Sequence, residues 1–110
     1  SPENLIEDKI PLIEDHPYCG PIKDAYEKRK VQIILDIEKD SIQNEEWRKK
    51  TLEQGYLSNI SIPLKKNGEI FGVISIFSSE PESFYNKEAA MLVDMADDIA
   101  FGISIIKDTF

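Results

Sequence analysis

His16 and Cys19 are the side chains best suited to chemistry, and they stand three positions apart in the segment HPYCGP. A structural zinc site takes four ligands, and the sequence holds no other cysteine or histidine. A cysteine nucleophile needs a base that a third group orients, and nothing in the spacing identifies that group. We therefore expect a loop with a free thiol, without a metal, and without a haem held by His16.

Three carboxylates, those of Asp94, Asp97 and Asp98, form the other cluster that could bind a cation. They fall on a predicted helix, beside an apolar stripe. Carboxylates in that position are typical of the solvated face of an amphipathic helix. We expect a solvent-facing surface here and no magnesium site.

Composition limits the possible partners. The chain has 110 residues, enough for one domain, and its 13 basic and 21 acidic residues give a net charge of −8. Such a surface repels phosphate backbones and anionic lipid, so we expect neither nucleic-acid binding nor direct membrane contact. No apolar run approaches the roughly 20 residues that span a bilayer, and the polar start SPENLIEDK is no signal peptide. With a single cysteine, this pattern predicts a cytoplasmic domain cut from a larger protein.

Periodicity and turn signals predict an α+β fold, an antiparallel sheet with helices packed on it and a long helix at the end. Asn44 is placed to cap a helix that Gly55 ends, and Asn67-Gly68 is a strong hairpin signal. The predicted strands cover 8–13, 31–37, 56–64 and 69–78. The predicted helices cover 22–30, 45–54 and 86–110.

The predicted hairpin has two different faces. A two-residue turn that pairs Lys66 with Glu69 places Leu64/Phe71, Ile62/Val73, Ile60/Ser75 and then Phe77 on one face. It places Pro63/Gly72, Ser61/Ile74 and Asn59/Ile76 on the other. We expect the first face to pack on helices, and the mixed second face to lie under a loop or to line a cavity.

Three segments carry a resemblance to a known family. EEWRKKTLEQGYLSNISIPLKKNGEIFGVISIFSSEPESF (45–84), GPIKDAYEKRKVQIILDI (20–37) and MADDIAFGI (95–103) resemble, in this order, parts of GAF domains. GAF domains are small-molecule-sensing modules of bacterial signalling proteins. The resemblance implies one GAF-like domain over residues 1–110, with a profilin-like fold that lacks its usual first helix and first strands. It therefore predicts a sheet edge that association would cover.

The resemblance also implies a function. We expect a noncatalytic sensory domain of a histidine kinase, a cyclic-dinucleotide enzyme or a similar protein. Its ligand pocket would lie between the mixed sheet face and the helices 22–30 and 45–54. The candidate contacts are Cys19, Ile34, Asp36, Trp47, Tyr56, Asn59, Ser61 and Ile74.

Several known GAF ligands and activities do not fit these residues. Phytochrome-type GAF domains hold a bilin through a Cys-His pair, and the matching positions fall near Glu46 and Trp47. The Asn-Lys, Phe and Asp-Glu pattern of cyclic-nucleotide GAF domains appears only in part, as Phe84 before Asn86-Lys87. Free-methionine-sulfoxide reductases use several cysteines, whereas this chain has one. We therefore expect no cofactor and no enzymatic activity.

The terminal helix predicts a homodimer. Apolar residues spaced by three and four continue past the expected end of the sheet, so we expect them to pair with a second chain as a short coiled coil. These residues are Leu92, Ala96, Ile99, Ile103, Ile106 and Phe110. A ligand-free dimerisation or spacer module would have the same sequence pattern. A cavity over the mixed face would support the sensor, and solid packing there would support the spacer.

Overall fold

A computed structural model describes residues 20–40 and 44–109. Within them the chain forms α1 (Pro21–Lys28), β1 (Gln32–Ile34), α2 (Glu45–Glu53), β2 (Ser58–Lys66), β3 (Glu69–Ser78) and α3 (Lys87–Thr109). The three strands form one antiparallel sheet in the order β1-β2-β3. The predicted α+β fold is confirmed, and the predicted strand 8–13, like His16, lies outside the described residues.

Turns set the ends of the early elements. Arg29 adopts the left-handed conformation with φ 60° and ends α1 before the predicted residue 30. β1 is shorter than predicted because Asp36 begins a turn: its Oδ1 accepts a hydrogen bond from the Glu38 N–H at 3.1 Å. An aspartate side chain that bonds the backbone two residues on favours a turn over a strand.

The β2–β3 hairpin turns at Asn67-Gly68, as predicted. Both residues have positive φ, 53° and 81°, which a two-residue hairpin turn of this type requires. The Arg29 guanidinium donates a hydrogen bond to the Gly68 carbonyl and so connects the end of α1 to the turn.

A β-bulge changes the register beyond this turn. Lys65 pairs with Ile70, but Leu64 pairs with Gly72, so Phe71 has no residue opposite it. The extra residue moves the rest of β3 to the opposite face. The predicted pairs from Leu64/Phe71 onward are therefore wrong, and the observed pairs include Ile62/Ile74, Ser61/Ser75 and Ile60/Ile76.

One face of the sheet packs on α3. Ile60, Ile62 and Leu64 are 0%, 2% and 3% exposed, which confirms the apolar face predicted for β2. Ile74 and Ile76 of β3 pack on the same core cluster. The α3 residues in that cluster include Ala89, Ala96 and Ala100, whose small side chains let the helix approach the sheet closely. No helix within the described residues is both long and apolar enough to cross a bilayer.

The opposite face packs on the two short helices. Ile22 and Ala25 of α1 form a cluster with Val73. Trp47 and Leu52 of α2 pack on a second cluster that contains Ile34, Ile37, Tyr56 and Phe77. The sheet therefore separates α3 from α1 and α2.

Asn44 caps α2 as predicted, and its replacement gives the first testable expectation. Its Oδ1 accepts hydrogen bonds from the N–H groups of Glu46 at 2.9 Å and Trp47 at 3.2 Å. Asn44→Ala removes both bonds, so we expect the free energy of unfolding to fall by about 1 kcal/mol in urea denaturation. Lys49→Ala, on the exposed side of the same helix, is the control. Equal losses from the two variants would contradict the capping role.

Candidate functional site

Three buried polar side chains form a ring on the sheet face that packs on α1 and α2. Asn59 and Ser61 are 0% exposed, and Ser75 is 1% exposed. Asn59 Nδ2 donates to Ser75 Oγ at 2.9 Å, and Ser61 Oγ donates to Asn59 Oδ1 at 2.9 Å. The two serine oxygens are 3.0 Å apart, which closes the ring. We call Asn59, Ser61 and Ser75 the polar ring.

Each side chain of the polar ring donates a hydrogen bond to the next, in one direction around the ring. Ser61 gives its proton to Asn59, so the Ser61–Ser75 bond uses the proton of Ser75. The second Nδ2 proton of Asn59 goes to the Ile76 carbonyl at 3.0 Å. Every side-chain donor of the polar ring is thus used inside the protein, and only acceptor capacity remains.

Trp47 joins α2 to the start of α1 beside this face. An added Cβ on Gly20 would lie 2.7 Å from both Cε2 and Nε1 of Trp47, closer than real Cβ contacts come. Gly20 has φ 60° and ψ −139°, a conformation that only glycine adopts readily. The ring centroids of Trp47 and Tyr56 lie 6.5 and 5.0 Å from that of Phe77. The indole therefore packs between the α1 start and the sheet, as a connection that needs a glycine.

Two surface grooves lined by described residues lie away from the polar ring. A groove of about 680 Å³ runs along the outer side of α2, where Glu45 and Arg48 form a salt bridge of 3.0 Å. Another groove, of about 230 Å³, adjoins the Asn67 turn and Ser104. The polar ring itself is filled by its own side chains in this conformation.

The family follows from the sequence as a whole. The sequence model of the GAF domain matches residues 4–104, which is most of the chain. The chain belongs to the GAF domain family. No curated protein matches it.

Solved structures show the same fold at low sequence identity. One is a domain of a two-component sensor histidine kinase protein from Sinorhizobium meliloti 1021, with a TM-score of 0.66, 16% identity, and 73% of this chain and 55% of that one covered. Another is the GAF domain region of a membrane protein from Geobacter sulfurreducens PCA, with a TM-score of 0.67 and 24% identity. The match covers 77% of this chain and 56% of that one. A third is a free methionine-R-sulfoxide reductase from Neisseria meningitidis bound to its substrate, with a TM-score of 0.69 and 18% identity. The match covers 83% of this chain and 51% of that one. This GAF chain spans about half the length of these structures.

The GAF fold brings together five of the residues predicted to line a pocket. Ile34, Trp47 and Tyr56 meet in the cluster under α2, and Asn59 and Ser61 belong to the polar ring. Asp36 lies in the turn after β1, with its carboxylate bonded to the Glu38 N–H. Cys19 lies outside the described residues.

Ile74 lies on the wrong side for the predicted pocket. It pairs with Ile62 and packs on the α3 core, because the bulge at Phe71 reverses the faces of β3. The same reversal brings Ser75 to Ser61, so sequence reasoning missed Ser75. Matching the alternate isoleucines Ile60 and Ile62 with Ile74 and Ile76 would have predicted the bulge.

The carboxylates of α3 have the predicted solvent-facing position. Asp94, Asp97 and Asp98 are all exposed. Among the described residues, no group of three or more potential metal ligands comes together. These aspartates therefore belong to the outer surface of this GAF domain.

Proposed function

We propose that this chain is a noncatalytic sensory domain of a cytoplasmic signal-transduction protein, such as a two-component histidine kinase or a cyclic-dinucleotide enzyme. A small molecule would bind between the sheet face with the polar ring and the helices α1 and α2. No cofactor, nucleic acid or membrane contact is part of the proposal. A homodimer formed through α3 would pass on the structural change that the ligand causes.

The observation that carries this proposal is the polar ring itself. Its three polar side chains are 0–1% exposed, and although all their donors are used, acceptor capacity remains on their oxygen atoms for a ligand. They lie under two short helices, of 8 and 9 residues, rather than under the long α3. Of the two, α2 makes few contacts with the sheet, so it is the element that a ligand could displace.

The free acceptors of the polar ring define the chemistry of a fitting ligand. All its side-chain donors already have acceptors within the protein. A ligand that reaches the intact ring must therefore supply N–H or O–H groups. Since the ring carries no formal charge, a neutral donor such as an amide, a nucleobase or a polyol fits better than an anion.

The mechanism is a change in the populations of two arrangements. Trp47 connects α2 to Gly20 at the start of α1. A ligand that enters above the ring would favour an arrangement in which this contact opens. It shifts the balance only by its different affinities for the two arrangements.

A second candidate function is a ligand-free dimerisation or spacer module. It is favoured by the closed ring, whose donors are all used inside the protein. In that case the polar ring serves only to fix the pairing of β2 with β3. The similar free methionine-R-sulfoxide reductases raise an enzymatic alternative, against which the single cysteine of this chain argues.

Thermal denaturation with a panel of neutral nucleobases, amides and polyols separates these functions. The sensor predicts that at least one compound raises the melting temperature, and that Ser61→Ala weakens the rise because an acceptor is lost. Ser79→Ala, an exposed serine away from the ring, is the matched control and should respond like the parent. If no compound stabilises the parent, the spacer function is supported. A cysteine-dependent reaction abolished by Cys19→Ser would support an enzyme.

A further inference from the structure

The β2–β3 hairpin ends in a tip that the β-bulge separates from the rest of the sheet. Of the described β2–β3 pairs, two lie beyond the bulge, Lys65 with Ile70 and Lys66 with Glu69. A bulge interrupts the ladder of hydrogen bonds and lets the strand bend at that point. The hairpin tip, which we define as residues 65–70, can therefore change its angle while the strands below it stay in register.

Open space borders the hairpin tip on two sides. A groove of about 420 Å³ lies between the tip and α1, with Tyr26 and Arg29 in its wall. The groove of about 230 Å³ lies between the tip and α3, with Ser104 in its wall. Glu69 and Ile70 of the tip line both grooves. Because these side chains lack the close packing of an interior, the tip has room to move toward either helix.

α1 contacts the hairpin tip at one end and Trp47 at the other. The Arg29 guanidinium, at the end of α1, donates a hydrogen bond to the Gly68 carbonyl in the tip. At the start of α1, Gly20 lies against the Trp47 indole. Between these ends, Ala25 is fully buried against the sheet. A helix of 8 residues is a stiff rod about 12 Å long, so a displacement of its start tilts it about the Ala25 contact and moves its end.

Phe71 joins the hairpin tip to α3. It is the extra residue of the bulge, and it packs on the core cluster that contains Ala96 and Ala100 of α3. It also lies with Ser104 in the wall of the smaller groove. A change in the angle of the tip turns the backbone at the bulge, so Phe71 must then move against α3.

We infer that the hairpin tip couples α1, on one face of the sheet, to α3, on the other. This coupling rests on the proposed function, because it names the contacts by which a ligand under α1 and α2 acts on α3. A ligand that displaces Trp47 tilts α1, Arg29 carries the tilt to the tip, and Phe71 passes it to α3. Arg29 is thus a positioning residue, which acts through Gly68 and touches no ligand.

A double-mutant cycle read by NMR tests the coupling without a ligand. Trp47→Phe places a smaller ring against Gly20 and disturbs the start of α1, so we expect it to shift the amide signals of Phe71 and Ser104. The same change is then made in an Arg29→Asn chain. Asparagine removes the guanidinium but tolerates the left-handed backbone of this position, so α1 still ends there. We expect the shifts at Phe71 and Ser104 to fall to less than about half.

Two further variants separate this hydrogen bond from a general loss of structure. Lys30→Ala removes an exposed charge next to Arg29 and should leave the response of Ser104 to Trp47→Phe as in the parent. Arg29→Lys keeps a cationic donor on a long side chain and should restore part of the response that Arg29→Asn loses. An equal response of Ser104 in the parent and in the Arg29→Asn chain would overturn the coupling. So would a Ser104 signal that Trp47→Phe does not shift, or equal losses in all three variants.

Failure of the coupling and failure of the proposed ligand site give different results. Because the cycle uses no ligand, an uncoupled Ser104 leaves the ligand response in thermal denaturation unaffected. A panel in which no compound raises the melting temperature defeats the ligand site, and the response of Ser104 to Trp47→Phe still decides the coupling.

Discussion

Gly20→Ala is expected to lower the free energy of unfolding by about 3 to 5 kcal/mol. The new methyl group would lie 2.7 Å from the rigid indole of Trp47, so the ring or the start of α1 must move. Alanine would also be held at φ 60° and ψ −139°, where strain alone costs about 1 to 3 kcal/mol. Urea denaturation measures the loss, and the emission of Trp47, the single tryptophan of the chain, reports the displaced ring.

Gly55→Ala is the matched control for this prediction. Gly55 also has positive φ, 88°, but nothing lies within 4 Å of its added Cβ. The Gly55→Ala variant should lose only the advantage that glycine has at positive φ, about 1 kcal/mol. If the two variants lose the same stability, the Gly20–Trp47 contact does not hold α1 and α2 together.

Asn59→Ala is expected to destabilise the domain by about 3 kcal/mol. The change removes two donated bonds and one accepted bond at a site with 0% exposure. Ser61 loses the acceptor of its proton, and the Ile76 carbonyl loses a donor. Each buried group left without a partner costs about 1 to 3 kcal/mol, and the cavity adds to the loss.

A triple variant separates a network from a set of independent bonds. Asn59→Leu combined with Ser61→Ala and Ser75→Ala removes all three polar side chains together. We expect its loss of stability to be smaller than the sum of the single losses, because no side-chain partner of the ring is left unpaired. If the three single losses of stability add up to the loss of the triple variant, the three side chains do not form a closed network. Chemical denaturation of the parent, the three single variants and the triple variant gives the comparison.

Local signals in the sequence predicted the elements well. The Asn67-Gly68 turn, the Asn44 cap and the alternation of Ile60 and Ile62 each act within a few residues, and each is confirmed. Such features depend on the local backbone, which neighbouring residues determine. Their prediction therefore needed no knowledge of distant contacts.

The candidate site depended on features that local signals do not carry. The bulge at Phe71 arises because two sets of alternate isoleucines must face α3 together, which is a demand of tertiary packing. The Gly20 contact joins residues 27 positions apart, and Gly20 reads only as a loop residue in the sequence. The bulge brings Ser75 to the face where we propose that a ligand binds, and the Gly20 contact lies beside that face.

Heteronuclear NMR of the chain, titrated with the compound from the panel that raises the melting temperature most, tests the proposed ligand face most directly. A ligand on this face must move the side-chain amide signal of Asn59 and the indole signal of Trp47 at the same concentrations. Signals from α3, such as the Ile106 methyls, should change only together with those two signals, because we propose that α3 passes on the change. Changes confined to α3, or to the groove along α2, would contradict the account.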